Sequence, residues 1–502
     1  MDNFHKFSRL ILGIDVGTTS TKALLFSDNG KILASASESY PLITPAVRQS
    51  EQNAEHWWQA VVHTVRSVCR EPSVASRVRG ISLSTQGGTI VPVDSAFNPL
   101  SNAIVWSDTR CEEERLSILE FPGEEALFRL SGWTLKSGRP LLQLMHMRKT
   151  NPELFRRAAY FLTVPDFIAA RLTGRAVIDY SNAGINQLFN FEKRTYDPLL
   201  LELAGVRENQ LAVLSPSCAP IGTLTKEAAE TLGLPDSVVV STGAHDQYAV
   251  ALGAGIREAG DAVIGTGTAW VVTALNEKPD LDCTYPQSVS AAEGMYGTML
   301  SISTGGVCLD WLRKQLLGSP DAPLDYDVIN SLAAQHDTPG SNDLLFYPYF
   351  SGAGLPRQDM ACLGTLAGMD LSHDRSHVVR AVMEGVACQI AWAVHSLDAA
   401  HPIRRLFLAG GAVNSPVWTQ IISEVTGREL HVSAMSDLSC AGAAMMAGVG
   451  CGLYADTAEA VQRLVPPHRT IAPDPDRCSA YKSVYQRYVN GAKALSTFYR
   501  SL

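Results

Sequence analysis

One phrase occurs twice in this chain. Near the N-terminus, LILGIDVGTTSTKALLF runs from an apolar stretch through a Gly-Thr turn into a second apolar stretch. Far downstream, GDAVIGTGTAWVVTAL does the same. Short apolar runs on either side of such a turn read as β-hairpins. A hairpin written twice constrains the fold, because each half of the chain has to build the same corner. The order of elements around the two turns repeats as well. RLILGID, TKALLFSD and KILASASESY read as three strands, with Asn29-Gly30 as a hairpin turn. The helix AEHWWQAVVHTVRSVCR follows, with Trp57, Val61, Val65 and Val68 at helical spacing, and then the strands RGISLSTQ and TIVPVD. From Gly260, DAVIGTG, AWVVTAL and GMYGTMLSIS read as three strands. A long helix, SHVVRAVMEGVACQIAWAVHSL, and the strand RRLFLAGG come later. A β-β-β-α-β order used twice in 502 residues predicts two α/β domains. The small, turn-prone ALGAGIREAG stretch places the boundary so that residues 1–252 form one domain and 253–502 the other. The middle, from Phe121 to Leu234, reads as helical and loop-rich.

Composition narrows the function. The net charge of -9 is spread along the chain, and no Lys/Arg block exists to grip a nucleic-acid backbone. The apolar run in MDNFHKFSRLILGID stops at Asp15, too short for a secretory signal, and no apolar stretch reaches membrane-spanning length. The ten cysteines are scattered without C-x-x-C pairs, the pattern of reduced, buried thiols in a cytoplasmic protein rather than of a zinc site or a disulfide framework.

A hairpin rich in Gly, Thr and Ser turns backbone N–H groups and hydroxyls toward one small volume, which is a cradle for phosphate oxygens. One such turn is weak evidence, since plain β proteins also contain Gly-Thr turns. Two of them, facing each other across a cleft, would clamp a polyphosphate. In that arrangement Asp15, at the end of the first strand, either holds Mg²⁺ against the phosphates or caps the turn. Lys22 either neutralises phosphate charge or is a surface lysine on a strand.

Six segments, in order, resemble the FGGY family of carbohydrate kinases, within the superfamily of actin, sugar kinases and Hsp70. They are GIDVGTTSTKALLFSDNG, NAIVWSDTR, GAHDQYAVALGAG, VIGTGTAW, GTLAGMDLSHDRSHVVRAVMEG and LAGGAVNSPVWTQIISEVTGREL. The likeness runs from about Ile11 to about Leu453. It implies two ribonuclease H-like (actin-like ATPase) α/β domains with a deep interdomain cleft, ATP and Mg²⁺, a small sugar as acceptor, and a homodimer as a common assembly. It also implies roles. Asp246 matches the family's general base and would share Mg²⁺ with Asp15; without the other motifs it reads rather as a helix N-cap. Gln247 would contact substrate hydroxyls, and His245 would pack behind them. Thr18, Thr19, Gly265, Thr266, Gly267 and Thr268 would hold phosphates. Gly305 and Gly306 would let nucleotide approach the backbone, and Gly410, Gly411, Ala412 and Asn414 would lie against adenosine. Ser415-Pro416 reads as the N-cap and first residue of the next helix.

The acceptor turn departs from the family. Xylulose kinases show Q-M-H-G here and glycerol kinases Q-R-E-T, whereas this chain has Gln86-Gly87-Gly88-Thr89. The missing Arg-Glu pair argues against glycerol. The two glycines are expected to enlarge the pocket and remove directional contacts. Trp106 and Asp108 remain as pocket candidates, Trp106 reading equally as a core aromatic. Glu51, Asn53 and Trp57 resemble a family element near the cleft. The expected activity is phosphorylation of D-xylulose to D-xylulose 5-phosphate. Ribulose, erythritol or gluconate, or a catalytically silent sugar-sensing role, are the alternatives. A nucleotide switch of the chaperone or filament type would need no GAHDQ segment and an interaction domain that the sequence does not show.

Overall fold

A computed structural model describes residues 9–267, 269–281, 285–302, 304–435 and 437–502. Within them the chain forms two compact units. The first comprises Met1–Glu258, Leu275–Gly297 and Asp437–Val465; the second comprises Ala259–Ala274, Thr298–Ser436 and Pro466–Leu502.

The first unit is built on β1 (Leu10–Val16), β2 (Ser20–Ser27) and β3 (Ile32–Ser39), the helix α1 (Ala54–Val68) and β4 (Val78–Thr85). β1 pairs antiparallel with β2 and parallel with β4, and the sheet continues from β4 through Val239–Ser241 to Pro220–Thr223. LILGIDV is apolar almost throughout because β1 is covered on both faces, whereas β3, at the edge, alternates between exposed and half-buried positions. α1 buries Trp57, Val61, Val65 and Val68, as their spacing predicts, and Asn53 caps it. The strand expected at TIVPVD forms as Ile90–Val93 but leaves this sheet. It joins a smaller one between Ala103–Ile104 and Tyr160–Thr163. The turn before it redirects the chain through Gly88, whose φ of +73° suits a residue without a Cβ.

The helix α2 (Asp246–Gly253) and the helix Leu438–Gly450 cross within the same unit, and the second also lies over β1. Small residues make this possible. A Cβ on Gly442 would sit 2.0 Å from the Ala249 carbonyl, and one on Gly13 would sit 1.9 Å from the Cys440 carbonyl.

The second unit repeats the corner. Its strands are β5 (Asp261–Thr266), β6 (Trp270–Asn276) and β7 (Tyr296–Ile302). They are followed by the long helix α3 (Arg375–Ala400), β8 (Arg405–Gly410), α4 (Pro416–Thr426) and β9 (Leu430–Val432). β5 pairs antiparallel with β6 and parallel with β8, the same relations that β1 has with β2 and β4. Ser415 caps α4 with Pro416 as its first residue. No helix of the described residues is long and apolar enough to cross a membrane. The nine described cysteines are free.

Candidate active site

In the first unit, three parallel strands end together. Asp15 on β1 lies in register with Ser84 on β4, and the short strand Ala244–His245 pairs with Ser84 and Thr85 on the other side. Asp246 follows immediately as the first residue of α2. The carboxyl edge of parallel strands is where α/β folds place ligands. The Asp15 carboxylate accepts a 2.7 Å hydrogen bond from Ser84 Oγ. Burial, and to a smaller extent the charge of Asp246, push its carboxyl up to about 6. Asp246 is not the N-cap of α2. His245 is, its Nδ1 accepting from the Gln247 amide. That nitrogen also lies 3.2 Å from Asp246 Oδ1 without a hydrogen bond to it. Asp246 Oδ1 is therefore buried without a donor, while 38% of the side chain is exposed. The Gln247 side chain is half-buried, with no protein hydrogen bond recorded among the described residues.

The turn after β1 is held by its carbonyls. Tyr40 Oη donates to Gly17 O, Gln52 Nε2 to Thr18 O, and the Tyr40 amide to Thr19 O. Among the described residues, the Thr18 and Thr19 amides donate to no protein acceptor. Gln52 was not singled out from sequence, yet it links this turn to the acceptor turn: its Oε1 accepts from Gln86 Nε2 at 2.9 Å and from Trp57 Nε1 at 3.2 Å. Trp106 is half exposed rather than core, and its Nε1 donates to Thr18 Oγ1 at 3.0 Å.

Several expectations change here. Gly87 does not enlarge a pocket. A Cβ on it would lie 2.4 Å from His245 Cδ2 and 2.9 Å from Ile185 Cγ2, so the imidazole already fills the space. Asp108 is fully buried, and its carboxylate accepts from the Ser50 amide and from Arg110 Nε; it holds the Arg110 that also pairs with Glu51. It has no free edge for a substrate hydroxyl. Lys22 is paired at 2.5 Å with Asp437, which precedes the helix over β1, so its charge is already offset.

In the second unit a cavity of 620 Å³ opens beside the repeated turn. Thr266, Gly267, Gly306, Gly411, Ala412 and Asn414 line it, as do Trp270, Asp310, Tyr326, Asn330 and Trp418, which the sequence did not single out. Its volume and its mixture of aromatic and polar walls suit a small organic ligand. The Thr266 hydroxyl is committed to the wall, donating to Ala409 O and accepting from the Ala412 amide. Gly410, at φ +95°, packs on Thr266. Gly305 and Gly306 are small because of the protein itself: Cβ atoms there would meet the Trp270 ring at 2.2 Å and Gly267 O at 2.4 Å. Gly265 lies within β5, paired with Val271. Thr268 lies outside the described residues.

Comparison with known proteins identifies the family. The N-terminal domain of the FGGY family of carbohydrate kinases matches residues 10–253, and its C-terminal domain matches residues 260–451. The chain belongs to the FGGY family of carbohydrate kinases. Gluconokinase of Bacillus subtilis (strain 168) is 28% identical over 98% of this chain and 97% of its own. The probable L-xylulose kinase of Pasteurella multocida (strain Pm70) is 30% identical over 96% of this chain and 98% of its own. The crystal structure of xylulose kinase from Rhodospirillum rubrum superposes with a TM-score of 0.89 at 28% identity, covering 98% of this chain and 100% of that one. The mixed α/β two-domain fold is thus that of FGGY kinases, the actin-like ATPase fold, and the chain is a phosphotransferase with an alcohol group as acceptor.

Proposed function

We propose that this FGGY kinase transfers the γ-phosphoryl group of Mg·ATP to a hydroxyl of a small open-chain polyhydroxy substrate. That substrate is a ketopentose such as D-xylulose, giving D-xylulose 5-phosphate, or an aldonate such as D-gluconate. The observation that carries the reading is Asp246: a carboxylate at the start of α2, part exposed, with one oxygen lacking a donor among the described residues. Asp246 accepts the hydroxyl proton as the substrate oxygen bonds to Pγ and the bond to the ADP oxygen breaks. Gln247 and Trp106 orient the acceptor. In the first unit the amides of Thr18 and Thr19 are open to phosphate oxygens. In the second unit the cavity beside Gly411 and Asn414 suits a nucleoside.

The carboxylates fit a divalent cation. The charge of Asp246 adds to what holds the Asp15 carboxyl up, and Asp246 Oδ1 has no donor among the described residues. Bound there, Mg²⁺ would neutralise phosphate charge. The names of the relatives support both substrate classes, since they divide between gluconokinases and xylulose kinases.

The test is ADP release from Mg·ATP over D-xylulose, ribulose, erythritol and D-gluconate, with Asp246→Asn as the blank. Asp246-dependent turnover of a panel member supports the reading. ATP and sugar binding without ADP from any of them would point instead to a sugar-sensing role.

A further inference from the structure

Next to the acceptor turn lie two cations that have no carboxylate partner among the described residues. Arg139 is 7% exposed, and its Nε is buried with no hydrogen-bond partner. Among the described residues its guanidinium forms no ion pair, and its carbon lies over the Trp133 ring, 4.8 Å from the ring centre. Buried arginines are ordinarily paired, because a charge taken out of water is costly unless something compensates it. Lys136 is exposed, also without a recorded carboxylate partner, and close enough for Arg139 to repel its charge. Burial lowers Arg139 to about 10, and no acidic group offsets the shift.

The segment that carries them is fixed to the acceptor site. Gln143 Nε2 points at the carbonyls of Gly88, Val105 and Gly138, and the Gly138 Cα packs on the Trp106 carbonyl. The Trp133 ring meets the edge of His245 at 5.9 Å, one residue before Asp246. Trp133 Nε1 is itself buried without an acceptor. Two cations and an indole N–H, all short of acceptors, border the place where the acceptor substrate is expected.

We infer that Arg139 and Lys136 form a carboxylate subsite, so that the substrate is a sugar acid rather than a neutral sugar. This rests on the kinase reading above. A guanidinium presents paired donors that match a carboxylate, and the Trp133 face leaves its edge free for that contact. With the carboxylate held there, the hydroxyl presented to Asp246 is toward the other end of the carbon chain. The step balances as before: the distal oxygen gains Pγ, ADP leaves, and the proton goes to Asp246.

The experiment compares kcat/KM for D-gluconate and D-xylulose in the wild type, Arg139→Gln, Arg139→Lys and Lys136→Gln, with each variant's thermal unfolding recorded. The wild type should prefer the aldonate. Arg139→Gln should lower the aldonate-to-ketopentose ratio at least about tenfold, mainly through the aldonate KM, and Arg139→Lys should restore part of it. Lys136→Gln, at an exposed position, should lower the ratio less and without loss of stability. A wild-type preference for the ketopentose, or equal losses on both substrates, would overturn the subsite while leaving the kinase reading intact. If no acceptor is turned over, the kinase reading fails separately. Calorimetric titration of D-gluconate then decides the subsite: binding lost in Arg139→Gln and Lys136→Gln supports it, and no binding to the wild type overturns it.

Discussion

At the scale of residues, the proposed mechanism rests on one carboxylate and on the imidazole beside it. Asp246→Asn keeps the shape and removes the proposed base, so turnover should fall at least about a hundredfold. Steady-state kinetics, with nucleotide affinity measured alongside, checks this. Gly87 makes a sharper prediction. Alanine there would place its Cβ 2.4 Å from His245 Cδ2, forcing away the residue that caps α2 and borders Asp246. Small displacements of catalytic groups are expensive, so Gly87→Ala should lower kcat roughly 10- to 100-fold. Adding His245→Ala should recover part of that loss. Strict additivity in the double-mutant cycle would show that the two residues do not press on each other. The sequence identified this turn as unusual but reversed its meaning. A missing side chain reads as empty space until the fold shows that a residue some 158 positions later fills it. Asp108 was misread for a similar reason, since its partner on the backbone, Ser50, belongs to a different segment.

At the scale of elements, two packing features carry testable costs. The helix Leu438–Gly450 crosses α2 at Gly442, where any side chain would strike the Ala249 backbone. Gly442→Val should cost about 1–3 kcal/mol or more, seen as a lower denaturation midpoint with an unchanged slope. The second feature is the helix Val164–Thr173, whose capping box joins Thr163 to Asp166. Burial pushes the Asp166 carboxyl up to about 7 from an ordinary value of 3.8, the hydrogen bonds from Thr163 offsetting only part of it. The folded state therefore keeps a proton that the unfolded chain releases. The resulting stability is full below about pH 4 and is lost as pH rises through about 7. In Asp166→Asn that titration is gone. The stability of the wild type relative to the variant should fall by about 2–4 kcal/mol between roughly pH 5 and pH 8. Urea unfolding at both values measures it, and a constant difference would refute the shift.

At the scale of the whole molecule, the sequence revealed the repeat and hid the connections. Both Gly-Thr corners and their strand partners were legible because each is local: an apolar run, a turn, an apolar run. The return of Asp437–Val465 to the first unit was not legible, because LSCAGAAMMAGVG carries only small-residue packing and no mark of which sheet it covers. The cavity of the second unit was half legible. Its glycines stand in quotable motifs, whereas Tyr326 and Asn330 come from a helix with no signature of its own. The proposed acceptor is the least legible part, since the inference rests on Arg139 and Lys136, which form no ion pair among the described residues.

Asp246 is proposed to catalyse transfer from Mg·ATP to a small polyhydroxy acceptor. The most direct measurement is phosphorylated-acceptor formation, followed by mass spectrometry in matched preparations of wild type and Asp246→Asn whose ATP binding is titrated in the same buffer. The account predicts equal nucleotide affinity, acceptor phosphate from the wild type, and at least about a hundredfold less from the variant. Equal product from both, with ATP bound equally, would contradict it.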